Sequence, residues 1–278
     1  MASLLALLSA AAYGIVDFAG GRAAREVPPI ALACRVQWFG SLALLCLAPL
    51  LGGRPALDDL GWGGLSGLGS AVAIMFLYRG MRCGKISLVL PLAALVGAAL
   101  PVLFAIGVLG DRPSAMVLAG MAGTLLAVWW IACRPRAGGM TLAAGSRDAL
   151  IAGAGVGLLY ACVAQADPQA GLWPVLANRL ASVIVVVCYA RHLGLPLRLP
   201  RGRRFSAAWI GSLAALSLAL YLYATWQSLV SVAVVLASLY PAIPVLLSIL
   251  LLGETLTPRQ WRGLLVAAVS VGVIVQGA

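Results

Sequence analysis

The segment ALPVLFAIGVLGD, Ala99–Asp111, returns as AIPVLLSILLLGE at Ala242–Glu254, 143 positions later in a chain of 278 residues. Seven of the thirteen positions are identical, and the match runs on without a gap to Gly120 and Gly263. A second echo, ACRVQ around Arg35 and ANRLA around Arg179, lies 144 positions apart. A chain that repeats itself at half its length consists of two copies of one unit. In a very apolar chain that internal symmetry marks a secondary transporter.

Composition narrows the class. Apolar residues make up 63% of the chain and charged residues 10%, whereas an ordinary soluble domain carries about 25% charged residues. The net charge of +11 does not point to nucleic acid, because the basic residues lie in short loops between apolar runs. Phospholipid headgroups are the partner that this pattern fits. All six cysteines sit in or beside apolar segments without paired spacing and read as small apolar fillers. With His192 as the one histidine, no metal or cofactor site is expected. Leu4–Ala12 has the apolar character of a signal-peptide core but lacks its basic start, so residues 2–20 read as a spanning helix.

A bilayer core about 30 Å thick needs roughly 20 apolar helical residues. Spans fall near 2–20, 30–51, 63–81, 86–109, 114–133, 149–166, 172–190, 207–228, 231–252 and 259–277. The expected fold is therefore all-α and membrane-integral, with ten transmembrane helices. Five helices per copy is an odd number, so the copies must be inverted. The first repeat covers 1–137, a Gly/Arg/Pro-rich connector covers 138–148, and the second repeat covers 149–278. The odd-numbered loops hold fifteen basic residues and the even-numbered loops two, Arg54 and Arg112. Lys and Arg are retained on the cytoplasmic side, which places the odd loops inside an inner membrane and both termini outside.

These motifs resemble the drug/metabolite transporter superfamily, in particular its ten-helix EamA-type permeases. The most specific part is SLYPAIPVLLSILLLGE, Ser238–Glu254, joined by the arginine that opens the second helix of each repeat, Arg35 and Arg179. The resemblance implies movement of a small metabolite, amino acid or amphipathic drug-like solute by alternating access, without a cofactor. Many relatives keep their termini in the cytoplasm, and here the basic residues argue the reverse.

Asp17 is the one acid well inside an apolar span. It closes a polar stripe of Ser9, Tyr13 and Asp17 at helical spacing, and a carboxylate at that depth should face protein or a water-filled cavity. It is a candidate proton carrier or counter-charge for a substrate amine. The bland reading places it about one turn from the helix end, hydrated or neutralised by Arg35. At the corresponding positions of the second copy stand Gly153, Gly157 and Ala161. Asp17 with Arg35, and Asp167 with Arg179, are candidate gates, with snorkelling as the alternative for the arginines. Pro91, Pro101, Pro241 and Pro244 are candidate hinges, because proline frees a backbone carbonyl. Tyr13, Tyr78, Tyr160, Tyr221 and Thr225 complete the expected cavity lining. Asp111 and Glu254 read as turn residues, and Thr257–Gln260 as a capping box. Gly63–Gly67, Gly153–Gly157 and Gly120–Gly123 read as close helix packing. The competing classes are an uncoupled facilitator or exchanger, a flippase of lipid-linked solutes and, least supported, a membrane enzyme.

Overall fold

The computed structural model describes residues 2–104, 114–136, 139–163, 165–227 and 241–277. Among them are ten α-helices: α1 Ala2–Glu26, α2 Pro29–Leu51, α3 Leu57–Cys83, α4 Ile86–Phe104, α5 Ala115–Ala132, α6 Ser146–Val163, α7 Trp173–His192, α8 Arg204–Gln227, α9 Ala242–Leu252 and α10 Pro258–Gly277. By length and composition, α2, α3, α6 and α7 are long and apolar enough to cross a membrane. The all-α expectation needs one amendment. Between α5 and α6, strands β1 Cys133–Arg136 and β2 Gly139–Leu142 pair antiparallel, with Cys133 opposite Leu142. Two of the expected spans also lengthen: α1 runs on to Glu26, and α3 begins at Leu57.

Helix ends follow local chemistry. Proline at the first turn opens α2, where its missing N–H has no helical partner to lose. The Ala56 N–H donates to the Asp59 carboxylate at 2.8 Å at the start of α3. At α10 the expected box forms in both directions: Thr257 N–H donates to Gln260 Oε1 at 3.0 Å, and Gln260 N–H to Thr257 Oγ1 at 3.4 Å.

Small residues make many of the closest helix contacts, alongside fully buried large ones such as Leu32, Leu92 and Ile210, while many leucines face outward. Ala24, Ala31, Ala33, Ala71, Ala149, Ala152 and Ala190 are buried, whereas Leu45, Leu50, Leu125, Ile184, Leu250 and Leu265 are exposed. Lipid tails are as apolar as leucine, so burying leucine between helices gains little there, and close approach of backbones decides association. The expected glycine pairs do this work. A Cβ on Gly67 would lie 2.6 Å from Asn178 O, one on Gly153 2.7 Å from Ala93 O, and one on Gly120 3.0 Å from Ser270 O. In this way α3 seats on α7, α6 on α4, and α5 on α10.

The packing partners exchange between the two halves. α3 lies against α6 and α7, while α8, its counterpart in the second copy, lies against α1 and α2. α5 packs on α10, and α2 on α7. Loops after odd-numbered helices gather at one end of the bundle, where Arg82 donates to Val27 O and Arg203 pairs with Glu26. At the opposite end, Arg54 N–H donates to Gln169 O at 3.0 Å.

Candidate functional site

Asp17 lies deeper than the bland reading requires. Because α1 continues to Glu26, the carboxylate is about two and a half turns from that end. One turn to either side on the same face are Gly14 and Gly20–Gly21. A Cβ on Gly14 would meet Ile243 Cβ at 2.6 Å, and one on Gly20 would meet Tyr78 Oη at 2.6 Å. Gly20 is therefore glycine because the Tyr78 ring and hydroxyl occupy the space beside it. The glycines flanking Asp17 thus seat α1 against α9 on one side and against Tyr78 of α3 on the other. Tyr78 is itself buried.

Arg179 belongs to a polar network that the sequence did not single out. Gln37, the last residue of ACRVQ, is wholly buried. Its amide nitrogen donates to Ser70 Oγ at 2.9 Å and to Ser182 Oγ at 2.6 Å. These two bonds fix the amide, so its oxygen accepts from Arg179 Nη1. Nearby, Asn178 Nδ2 donates to Ser66 Oγ at 2.7 Å. Three helices, α2, α3 and α7, thus hold one guanidinium inside the bundle, and its Nε is buried without a hydrogen-bond partner. The signal for Gln37 was its place inside the repeated motif, where attention went to the arginine.

Neither expected gate pair forms among the described residues. Arg179 turns to Gln37, and Asp167 is used locally. The Asp167 carboxylate accepts from Gln169 N–H at 2.7 Å, and its own N–H donates to Asp59 Oδ1 at 2.8 Å. Asp17 and Arg35 form no ion pair with each other; ion pairs among the described residues include Arg25–Glu254, Arg79–Asp148 and Arg203–Glu26. Ser9 of the polar stripe is occupied by helix packing, its hydroxyl donating to Ser217 O of α8 at 2.7 Å. Tyr160 is 50% exposed. Tyr221, Thr225 and Pro101 fall where only the helix is described, and Asp111 lies outside the described residues. α4 runs unbroken through Pro91 and Pro101, and Pro241 stands at the start of α9 instead of inside it. The carbonyl that Pro101 deprives of its helical donor, Gly97 O, would lie 3.5 Å from a Cβ on Gly157, so α6 covers it.

Glu254 does more than make a turn. Gly253 adopts φ 62, a conformation open to glycine at little cost, and the reversal brings the carboxylate back onto the first half of the chain. There it accepts from Ile86 N–H at 3.1 Å, Ser87 N–H at 3.0 Å, Ser87 Oγ at 2.6 Å and Arg25 Nη2 at 2.5 Å. The first N–H groups of a helix lack internal partners, and here Glu254 satisfies two of them for α4. Arg25 also donates to Met81 O and Gly84 O, and Lys85 to Thr255 O. Burial alone would raise the carboxyl pKa, but the Ser87 hydroxyl and N–H, Arg25 and the Ile86 N–H hold it below its ordinary value of 4.5. Glu254 and Arg25 together therefore tie the ends of α1, α3 and α9 to the start of α4, all at the basic end.

Ten packed helices with an apolar exterior, charged side chains within α1 and α7 and one strongly basic end describe a multi-pass membrane protein. The EamA-like transporter family model matches residues 149–276, the second half of the chain, which supports the resemblance to EamA-type permeases. Members of that family are transporters. A solved crystal structure whose description names no function aligns over 100% of this chain and 99% of its own, at 17% identity and a TM-score of 0.63; that likeness concerns the fold. No functionally curated protein matches the chain.

Proposed function

We propose that the protein is a secondary transporter that moves a small solute by alternating access between two inverted five-helix repeats. Exchange of partners between α3 and α8, with the self-paired contacts of α2 on α7 and α5 on α10, is the pattern an inverted repeat requires. The membrane is the inner membrane of a bacterium, with the basic odd loops in the cytoplasm and both termini outside, as the charge asymmetry favours. In this reading the basic end is the closed one, held by the contacts of Glu254 with Arg25, Ile86 and Ser87. Opening it would separate the α9–α10 turn from the α3–α4 turn.

A difference between the copies carries the location of the site. In the second copy, Gly153 and Gly157 seat α6 flush on α4. In the first, Ser9 and Tyr13 stand at the positions of Gly153 and Gly157, and Asp17 stands at that of Ala161. Where one copy has two glycines and an alanine, the other carries two hydroxyls and a carboxylate. Asp17 then serves as proton carrier or amine counter-charge, Tyr78 lines the same space, and Pro241 and Pro244 at the start of α9 permit it to tilt.

Reconstituted vesicles test this reading. Solute flux should follow an imposed pH gradient in the wild-type protein, and Asp17→Asn should lose that response by about tenfold or more while solute exchange persists. Flux that ignores the gradient in both proteins would instead favour an uncoupled facilitator.

A further inference from the structure

We propose that the connector between α7 and α8, residues 193–203, is an interfacial arm that binds anionic phospholipid. This arm is independent of the solute that the bundle carries. The stretch from Arg191 to Phe205, RHLGLPLRLPRGRRF, holds five arginines and no acidic residue. Cations at the basic end fall into two kinds. Arg25, Arg79, Arg82 and Lys85 are engaged by the protein itself, on Glu254, Asp148, Val27 O and Thr255 O respectively. Along the connector, Arg203 pairs with Glu26. Arg191, Arg198, Arg201 and Arg204 are exposed, and no hydrogen bond or ion pair holds them among the described residues.

The connector is held in place rather than slack. α7 ends in a paired turn, in which Leu195 N–H donates to Ala190 O at 2.8 Å and Gly194 N–H to Arg191 O at 3.2 Å. Gly194 has φ 63, the left-handed conformation that this helix stop requires. Leucine then recurs at every second position. Leu199 is buried and Leu197 packs on the core, while Pro196, Arg198 and Pro200 are exposed. Both prolines fix their φ and stiffen the segment. Leu193 and Leu195 remain 50% and 37% exposed, and Phe205 at the start of α8 is 79% exposed. On a spanning helix such side chains face lipid tails; on a connector they need an apolar layer beside the end of the bundle. The boundary between headgroups and acyl chains supplies that layer, and the phosphates above it match the guanidinium groups. Retention of a loop on the cytoplasmic side needs only its charge. It requires neither a fixed turn nor apolar side chains set among the arginines. A soluble polyanion would use the arginines but leave Leu193, Leu195 and Phe205 in water. Four guanidinium groups without a protein partner favour a headgroup of net negative charge over a zwitterionic one, whose own ammonium competes with them.

The test uses the full-length protein without its six native cysteines, carrying a bimane label on Leu195→Cys, in nanodiscs of phosphatidylcholine with added phosphatidylglycerol. Brominated acyl chains, which quench the label on contact, are placed on one lipid or the other. Quenching should saturate with brominated phosphatidylglycerol and be about fivefold or more weaker with brominated phosphatidylcholine at the same mole fraction. In the variant Arg198→Gln/Arg201→Gln/Arg204→Gln, which keeps the pair of Arg203 with Glu26, half-maximal quenching should need about tenfold more phosphatidylglycerol. Removing as many charges elsewhere at the same end, Arg134→Gln/Arg136→Gln/Arg147→Gln, should leave the preference intact. If the first variant does not fold, Arg204→Gln alone carries the test, with a loss of about fivefold. Equal quenching by both lipids, quenching by neither, or an equal loss in the control variant would overturn the assignment. So would relief of the quenching by millimolar inorganic phosphate, which would mark a site for free anions instead.

Discussion

At the scale of single residues, the contrast between Asp17 and Glu254 carries the chemistry. Both are carboxylates, but Glu254 has four donors, whereas Asp17 lies on α1 between two glycines that seat Ile243 and Tyr78. A fully satisfied carboxylate is a structural clasp; one deep in an apolar helix is the candidate for exchange that we propose for Asp17. Adding a side chain at Gly20 tests this packing. Gly20→Leu should displace Tyr78 and destabilise the fold by about 1–3 kcal/mol, read as a lowered Tm, while Tyr78→Phe should leave Tm nearly unchanged and impair transport. Asp17 was legible in the sequence as a lone acid in an apolar span. Gln37 was not, because an amide gives no signal until its neighbours are known: Ser70 and Ser182 come from two other helices. The pairing of Arg179 with Asp167 failed for a related reason. Sharing one end of the membrane did not make the carboxylate available, since Asp167 caps its own turn.

Among the helical elements, the turn after α9 is the joint that matters. Its sequence, Gly253 through Pro258, reads correctly as a helix stop and a helix start, and both features are present. Its reach was hidden, because nothing local reveals that Glu254 will land on the first N–H groups of α4. Glu254→Gln should weaken the ionic contact with Arg25, and Glu254→Leu should also strand the Ile86 and Ser87 N–H groups at a cost of about 1–3 kcal/mol. Thiol labelling of a cysteine placed at Thr255 should rise in both variants, more in the second. The pH dependence has a definite sign. A carboxylate whose folded pKa is depressed contributes its stabilisation in full above its unfolded value and loses it as the pH falls through the folded value. The latch should therefore hold unchanged across about pH 6 to 8 and release only in acid below about pH 4.5. Labelling at Thr255 that changed between about pH 6 and 8 would contradict this. Any pH response of transport in that range then belongs to another group, and Asp17 is the candidate.

For the molecule as a whole, the 143-residue echo and the helix count were both legible, because apolar length and repetition are properties of the chain itself. The packing was legible only through glycine spacing: Gly63–Gly67 and Gly153–Gly157 mark seams, but not which helix lies across them. The β1–β2 hairpin escaped notice because its residues also suit a basic linker. Orientation is a property of the whole chain, and a C-terminal fluorescent-protein fusion should stay dark in bacterial cells, since these proteins do not mature outside the cytoplasm when exported unfolded. Alternating access around α1 is the central claim, and it can be tested without knowing the solute. In a background lacking the six native cysteines, a single cysteine at position 17 is probed with a membrane-impermeant thiol reagent applied to sealed vesicles from either side. With Glu254 intact, the account predicts labelling from the Arg54 side and protection from the basic side. With Glu254→Leu, labelling from the basic side should appear. Access that stays on one side in both proteins, or is absent from both sides, would contradict it.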